Sequence, residues 1–267
     1  MPLRAQAPTE SMTEHHLKQI VERQHTLLDE AAKEGEKLDS ESLRSQLQSI
    51  VAEYEILFRE DPNFAAGYAS EGLLLRQVGM NKEAVGLMLK ANQIDPNIPL
   101  VKNQIGNYLA EDGKPLEAVS YYLAAIKLAP NEPLYHFQLG TLLREARSDF
   151  IRSGDWTGDA LGNAEHEAFR RASELAPDKL EYAYSYGESF YDLTKPDWDQ
   201  AVKFWGQLEE RAQNQKEREA MRLQAANILI IQKKPDYATT LLATVTDPSL
   251  QEQKQKLVAQ IAETAKK

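Results

Sequence analysis

Apolar and small residues recur along most of this chain at three- and four-residue spacings, and proline interrupts them at regular points. Such spacing lines one face of an α-helix with side chains that need cover. The small residues keep their offsets from one segment to the next. Gly72, Gly106 and Gly140 stand 34 residues apart, as do Ala84 and Ala118, and Ala91 and Ala125. Pro62, Pro96 and Pro130 keep that interval, Pro177 follows after 47 residues, and Pro248 after another 71. A residue before proline is biased out of the α region, so each Asp-Pro or Ala-Pro marks where one helix ends and the next begins. Inside an interval, Gly79 followed by Asn81, and Gly113 followed by Pro115, close one helix and open another. Each interval therefore predicts a helical hairpin whose small residues let its two helices approach closely.

A 34-residue hairpin with these glycine, alanine and proline positions resembles the tetratricopeptide repeat (TPR) family. Residues 65–98 carry Tyr68, Gly72, Ala84, Ala91 and Pro96, and residues 99–132 carry Gly106, Ala118, Tyr122, Ala125 and Pro130. A third unit, about 133–179, matches at both ends. A fourth, about 180–215, keeps Gly187 and Ala201, and a fifth, about 219–248, keeps Ala226, Ala238 and Asp247-Pro248. The resemblance implies an all-α fold, a right-handed α-solenoid of about five hairpins spanning 65–248. Before it, 1–11 reads as a disordered tail and 12–64 as a degenerate N-terminal hairpin. After it, 249–267 reads as a capping helix with Leu257, Ile261 and Ala265 on one stripe. One hairpin cannot bury its own apolar face, so stacking is also a physical expectation.

By resemblance, the first helices of such an array line a concave groove that holds a peptide or partner protein. The positions implied are Arg76, Gln77, Asn103, Asn107, Phe137, Thr141, Arg144, Tyr184, Glu188 and Tyr191. Asn103 and Asn107 lie one helical turn apart, so both amides are expected to face the same extended backbone. Phe137, Tyr184 and Tyr191 are either apolar anchors for a partner or packing between repeats. Some family members clamp a carboxylate tail with lysines, asparagines and an arginine. This chain departs from them in having no lysine set, which leaves Arg76 and Arg144 as contacts for an acidic partner.

The third unit is 13 residues too long, with the excess near 147–163. Leu139, Leu142, Leu143, Ala146 and Phe150 continue one helical stripe, and Trp156, Ala160, Ala164, Ala168 and Ala172 make another. Two prolonged helices predict a protruding finger about 10 Å longer than its neighbours, with Trp156 near the tip. Gly158 and Gly162 weaken a helix, so a loop is the rival. An exposed Trp156 is expected to dock a partner, and one packed on Phe150 to close the hairpin.

Composition narrows the chemistry. The 31 Lys and Arg against 41 Asp and Glu give a net charge of −10, which disfavours nucleic acid and anionic membranes. No cysteine is present, so disulfides and Cys-ligated zinc are excluded. No apolar run reaches the ~18 residues of a membrane span. His166-Glu167 lacks the second histidine of a zinc-protease helix, and Asp155, Asp159 and Asn163 lack the glycine turn of a calcium loop. With no glycine-rich phosphate loop and no nucleophile motif, no enzyme, metal or cofactor is expected. The reading is a non-enzymatic adaptor or scaffold. Its alternatives are a self-assembling structural protein, hence a homo-oligomer, and an accessory subunit of an envelope or secretion complex. The chain as it stands fits the cytoplasm. Ala5-Gln6-Ala7 has the form of a signal-cleavage site but lacks the apolar run before it, and export follows only if a signal peptide has been removed upstream.

Overall fold

The computed structural model describes residues 11–34 and 40–264, and among these every regular element is helical. Residues 1–10 of the expected tail, with Ala5-Gln6-Ala7, and Ala265 of the expected cap lie outside the described residues. The chain divides into two compact units, Met1–Pro130 and Asn131–Lys267.

The first unit contains α1 (Met12–Glu34), α2 (Ser40–Glu60), α3 (Ala65–Gln77), α4 (Asn81–Ile94), α5 (Pro99–Glu111) and α6 (Pro115–Leu128). Ser11 and Glu14 open α1 with a reciprocal cap: the Glu14 amide donates to Ser11 Oγ at 3.1 Å and the Ser11 amide to Glu14 Oε2 at 2.7 Å. Ile20 and Leu27 of α1 pack on Ile50, Tyr54 and Leu57 of α2 and on Leu74 of α3. Within that layer the Tyr54 hydroxyl donates to Gln24 Oε1 at 2.9 Å, so its polar tip is satisfied in the core. Both later hairpins turn on a left-handed glycine, Gly79 with φ +82° and Gly113 with φ +72°, the backbone state that glycine adopts without a steric cost.

The second unit contains α7 (Pro133–Glu145), α8 (Arg147–Ser153), α9 (Gly158–Leu175), α10 (Leu180–Ser189), α11 (Trp198–Glu210), α12 (Gln215–Ile231), α13 (Pro235–Ala243) and α14 (Gln251–Thr264). Single 3-10 turns occupy Phe190–Asp192 and Pro248–Leu250. Its core gathers Phe169, Tyr186, Phe190, Trp205, Leu208 and Ile228. Leu223, Ala226, Ala238 and Leu242 continue the packing toward Leu257 of α14.

The recurrent glycines are where the two helices of a hairpin touch. A Cβ at Gly72 would meet the Met88 side chain at 2.9 Å, and one at Gly187 would meet the Trp205 indole at 2.3 Å. Gly106 faces Tyr122 and Gly140 faces Phe169 in the same way. Each first helix thus gives up a side chain so that one large residue of its partner helix can lie against bare backbone.

The 13 additional residues do not prolong the first helix into a finger. α7 stops at Glu145, where the Ala146 amide donates to Leu142 O at 3.0 Å, and a separate short α8 follows. Gly154, with φ +82°, then reverses the chain. The second helix does begin early: α9 runs 18 residues, with the Thr157 hydroxyl accepting from the Ala160 amide at its start. Phe150 is fully buried, and Trp156 meets it edge-on with ring centroids 5.6 Å apart. The early turn of α9 lies against the end of the next first helix, because a Cβ at Gly162 would stand 2.4 Å from Asp192 O and Thr194 bonds Asp159. Apolar burial of Phe150 folds the excess back onto the unit.

Candidate functional site

In the first unit, α3 and α5 carry four of the expected binding residues. Arg76 is held by Glu111 through both guanidinium nitrogens, Nη1 lying 3.3 Å from Oε2 and Nη2 on Oε1. That pairing neutralises the cation across two successive hairpins, and Gln77 beside it is exposed. The two asparagines do not share one environment. Asn107 is half-buried and its Oδ1 accepts from the Tyr122 hydroxyl at 2.7 Å, a bond within the hairpin. Asn103 is fully buried, and neither its amide oxygen nor its amide nitrogen has a hydrogen-bond partner. A sealed, unpaired amide costs about 1–3 kcal/mol for each such group.

In the second unit, α7, α10 and the 3-10 turn after α10 carry the other six. Phe137 stacks on Tyr182 with centroids 4.4 Å apart and tilts against Phe169 at 5.7 Å, so it packs between first helices. Thr141 bonds back to Phe137 O at 3.0 Å. Arg144 is fully engaged. Its Nε donates to Glu165 Oε1 at 2.8 Å, Nη1 to Glu188 Oε2 at 3.4 Å and Nη2 to Ser185 O at 3.0 Å, and its carbon centre lies 4.4 Å from the Phe169 ring. The planar guanidinium holds its donors in a fixed fork, so it reaches three acceptors while its face lies on the Phe169 ring. An acidic partner therefore meets no unpaired arginine at either Arg76 or Arg144.

Tyr184, Glu188 and Tyr191 form a row along α10 and the turn that follows it, all three half-buried. Gln224 Nε2 donates to the Tyr184 hydroxyl at 2.8 Å and Asn227 Nδ2 to the Tyr191 hydroxyl at 2.9 Å, so two amides of α12 fix both phenol tips. Behind them Tyr184 meets Trp205 edge-on at 5.0 Å and Tyr191 leans on Trp198 at 5.4 Å. Burial raises the pKa of Tyr184 and pushes that of Tyr191 up to about 12, so both hydroxyls stay protonated donors. Burial also raises the Glu188 carboxyl, with Arg144 pulling the other way.

Three polar centres were not legible as site residues. Glu165 is buried beneath Arg144, with Arg147 Nη1 3.6 Å from its second oxygen. Burial, opposed by Arg144, pushes its carboxyl up to about 7. Glu219 of α12 is also fully covered, yet it accepts from the Thr246 and Asp247 amides at 2.7 and 2.6 Å and from Thr246 Oγ1 and Gln215 Nε2 at 2.9 Å. Those donors, the Asp247 amide foremost, pull its pKa down to about 2 and tie the end of α13 to α12. His166 Nδ1 lies 2.7 Å from Ser189 Oγ, but the serine is fully buried and donates to Tyr186 O at 2.7 Å. The pair is a packing contact, since a nucleophile needs access to its substrate. Among the described residues, no three His, Asp or Glu side chains gather as a metal site, and no helix is long and apolar enough to cross a membrane.

No protein-family model matches the chain, and no curated protein matches its sequence. Solved structures do match its fold. YrrB, described as a TPR protein with an unusual peptide-binding site, aligns over 80% of this chain and 98% of its own at 15% identity and a TM-score of 0.61. PilF of Pseudomonas aeruginosa aligns over 93% and 99% at 15% identity and a TM-score of 0.60. PilW, a type IV pilus biogenesis factor, aligns over 90% and 99% at 13% identity and a TM-score of 0.53.

Proposed function

We propose that this chain, whose fold is that of the tetratricopeptide repeat, is a non-enzymatic adaptor or scaffold that holds a peptide or protein partner on its first helices. The observation that carries this reading is the row Tyr184, Glu188 and Tyr191, with its phenol tips fixed by Gln224 and Asn227. Half-buried aromatic rings give contact area at little entropic cost when their rotamers are already set. A polar group between two such rings supplies register to an extended backbone. The peptide site attributed to YrrB supports the same reading. Because Arg144 is already bonded to Glu165 and Glu188, the partner is recognised through hydrogen bonds and aromatic contact and not through a carboxylate clamp.

The test is capture from source lysate by the full chain, beside Glu188→Gln and Tyr191→Phe variants that preserve packing. A partner retained by the parent and lost by either variant supports the α10 row. Equal retention by all three baits removes it, and Asn107→Ala then tests the first unit. The likeness to PilW favours a second reading, an accessory subunit of a cell-envelope assembly. That reading requires the captured partner to be an envelope protein.

A further inference from the structure

In the first unit, α2 and α3 leave an apolar trough of about 510 Å³ between them. Leu47 and Val51 form one wall, Leu74, Leu75 and Val78 the floor, and Met80 the far lip. Met80 is 45% exposed, so a large apolar side chain stands in water at the edge of the trough. The charged residues are at its two ends: Arg44 at the start of the α2 wall and Glu55 near its finish. Neither side chain forms an ion pair among the described residues. Glu55 stands instead near a like charge, the Glu71 carboxylate, which burial and Glu55 together push up to about 7. A cation brought from outside would relieve that repulsion.

An occupant that matches this face carries an apolar helical stripe with an acid at one end and a base at the other. The two charges have to be spaced as Arg44 and Glu55 are, about 16 Å at 1.5 Å per residue. α2 is itself such a helix once its direction is reversed. We infer that the α2 face of the first unit is a self-complementary interface that pairs with the α2 face of a second copy of this chain about a two-fold axis. In the antiparallel register that sets Arg44 against Glu55 of the second copy, Leu47 meets Ala52 and Gln48 meets Val51. The small Ala52 lets the two helices approach, and both charge pairs form at once because a two-fold contact repeats every interaction. Met80 of each copy closes over the pair and leaves water. None of its residues belongs to the α10 row.

Sedimentation velocity over a concentration series tests the pairing with the full chain and three variants: Arg44→Glu, Glu55→Arg and the double reversal. Both residues are exposed, so circular dichroism should show unchanged helicity in all four proteins. The parent is expected to pass from monomer to dimer as concentration rises. Each single reversal sets like charges together at both ends and weakens association at least tenfold, and the double reversal restores it. A parent that stays monomeric at every concentration overturns the proposal. So do single reversals that leave association unchanged, or a double reversal no stronger than the singles.

Discussion

Two hairpins, one from each unit, solve one packing problem with residues of different stiffness. In the first unit, the hairpin of α3 and α4 closes with the Met88 side chain over Gly72; in the second, that of α10 and α11 closes with the Trp205 indole over Gly187. Methionine bends at three bonds and tolerates a changed neighbour, whereas an indole plate cannot. The first-helix faces differ in parallel. The first unit leaves the Asn103 amide sealed and unpaired, and the second ties Tyr184 and Tyr191 to the amides of α12. A strict sequence period is therefore no measure of how tightly a unit is finished. The second unit breaks the period with its insertion and has the more rigid contacts.

The sharpest way to break that comparison is one added methyl group. Gly187→Ala is expected to cost about 3 kcal/mol through clash with Trp205, and Gly72→Ala less than about 1 kcal/mol because Met88 can swing aside. Denaturant melts of both variants would check it, and equal losses would show that the two units are equally stiff. Next in size, Asn103→Leu should raise stability by about 1–2 kcal/mol by removing an unpaired buried amide. A loss there would mean that the amide has a partner such as an ordered water. Tyr122→Phe releases Asn107 and should cost about 1 kcal/mol, read from the same melts.

The gentlest probe is pH, and here the units should agree. Glu71 and Glu165 each rise from 4.5 to about 7 on folding, so the folded state holds the proton more tightly than the unfolded chain. Stability should fall as pH rises between those values and return on acidification, and Glu71→Gln with Glu165→Gln should flatten the profile. Glu219 runs the opposite way. Its pKa falls from 4.5 to about 2, so its contribution is present above 4.5 and disappears as pH falls toward 2.

Helix ends were legible wherever glycine or proline enforced them, as at Gly79, Gly113 and Pro115. The break between α7 and α8 was not, because Ala146 is a good helix former and the apolar stripe runs through it to Phe150. The stop there follows from burying Phe150 and Trp156, a tertiary demand that no local pattern carries. The candidate face was legible as positions but not as partners. Arg76 and Arg144 read alike in sequence, yet one is held by a single carboxylate and the other bridges two carboxylates and a carbonyl. No local pattern marks Glu219 as a buried acid. The donor amides that claim it come from Thr246 and Asp247, 27 and 28 residues away.

The matched pairs of glycine and large residue have a consequence for how such a chain can be edited. Each pair lies inside one hairpin: Gly72 with Met88, Gly106 with Tyr122, Gly140 with Phe169, Gly187 with Trp205. Where the 34-residue interval holds, from Gly72 to Gly140, a duplicated or excised stretch of 34 codons carries or restores a complete lock. Copying errors can thus lengthen or shorten the gene one whole hairpin at a time, with each new unit able to close before any neighbour has adapted to it.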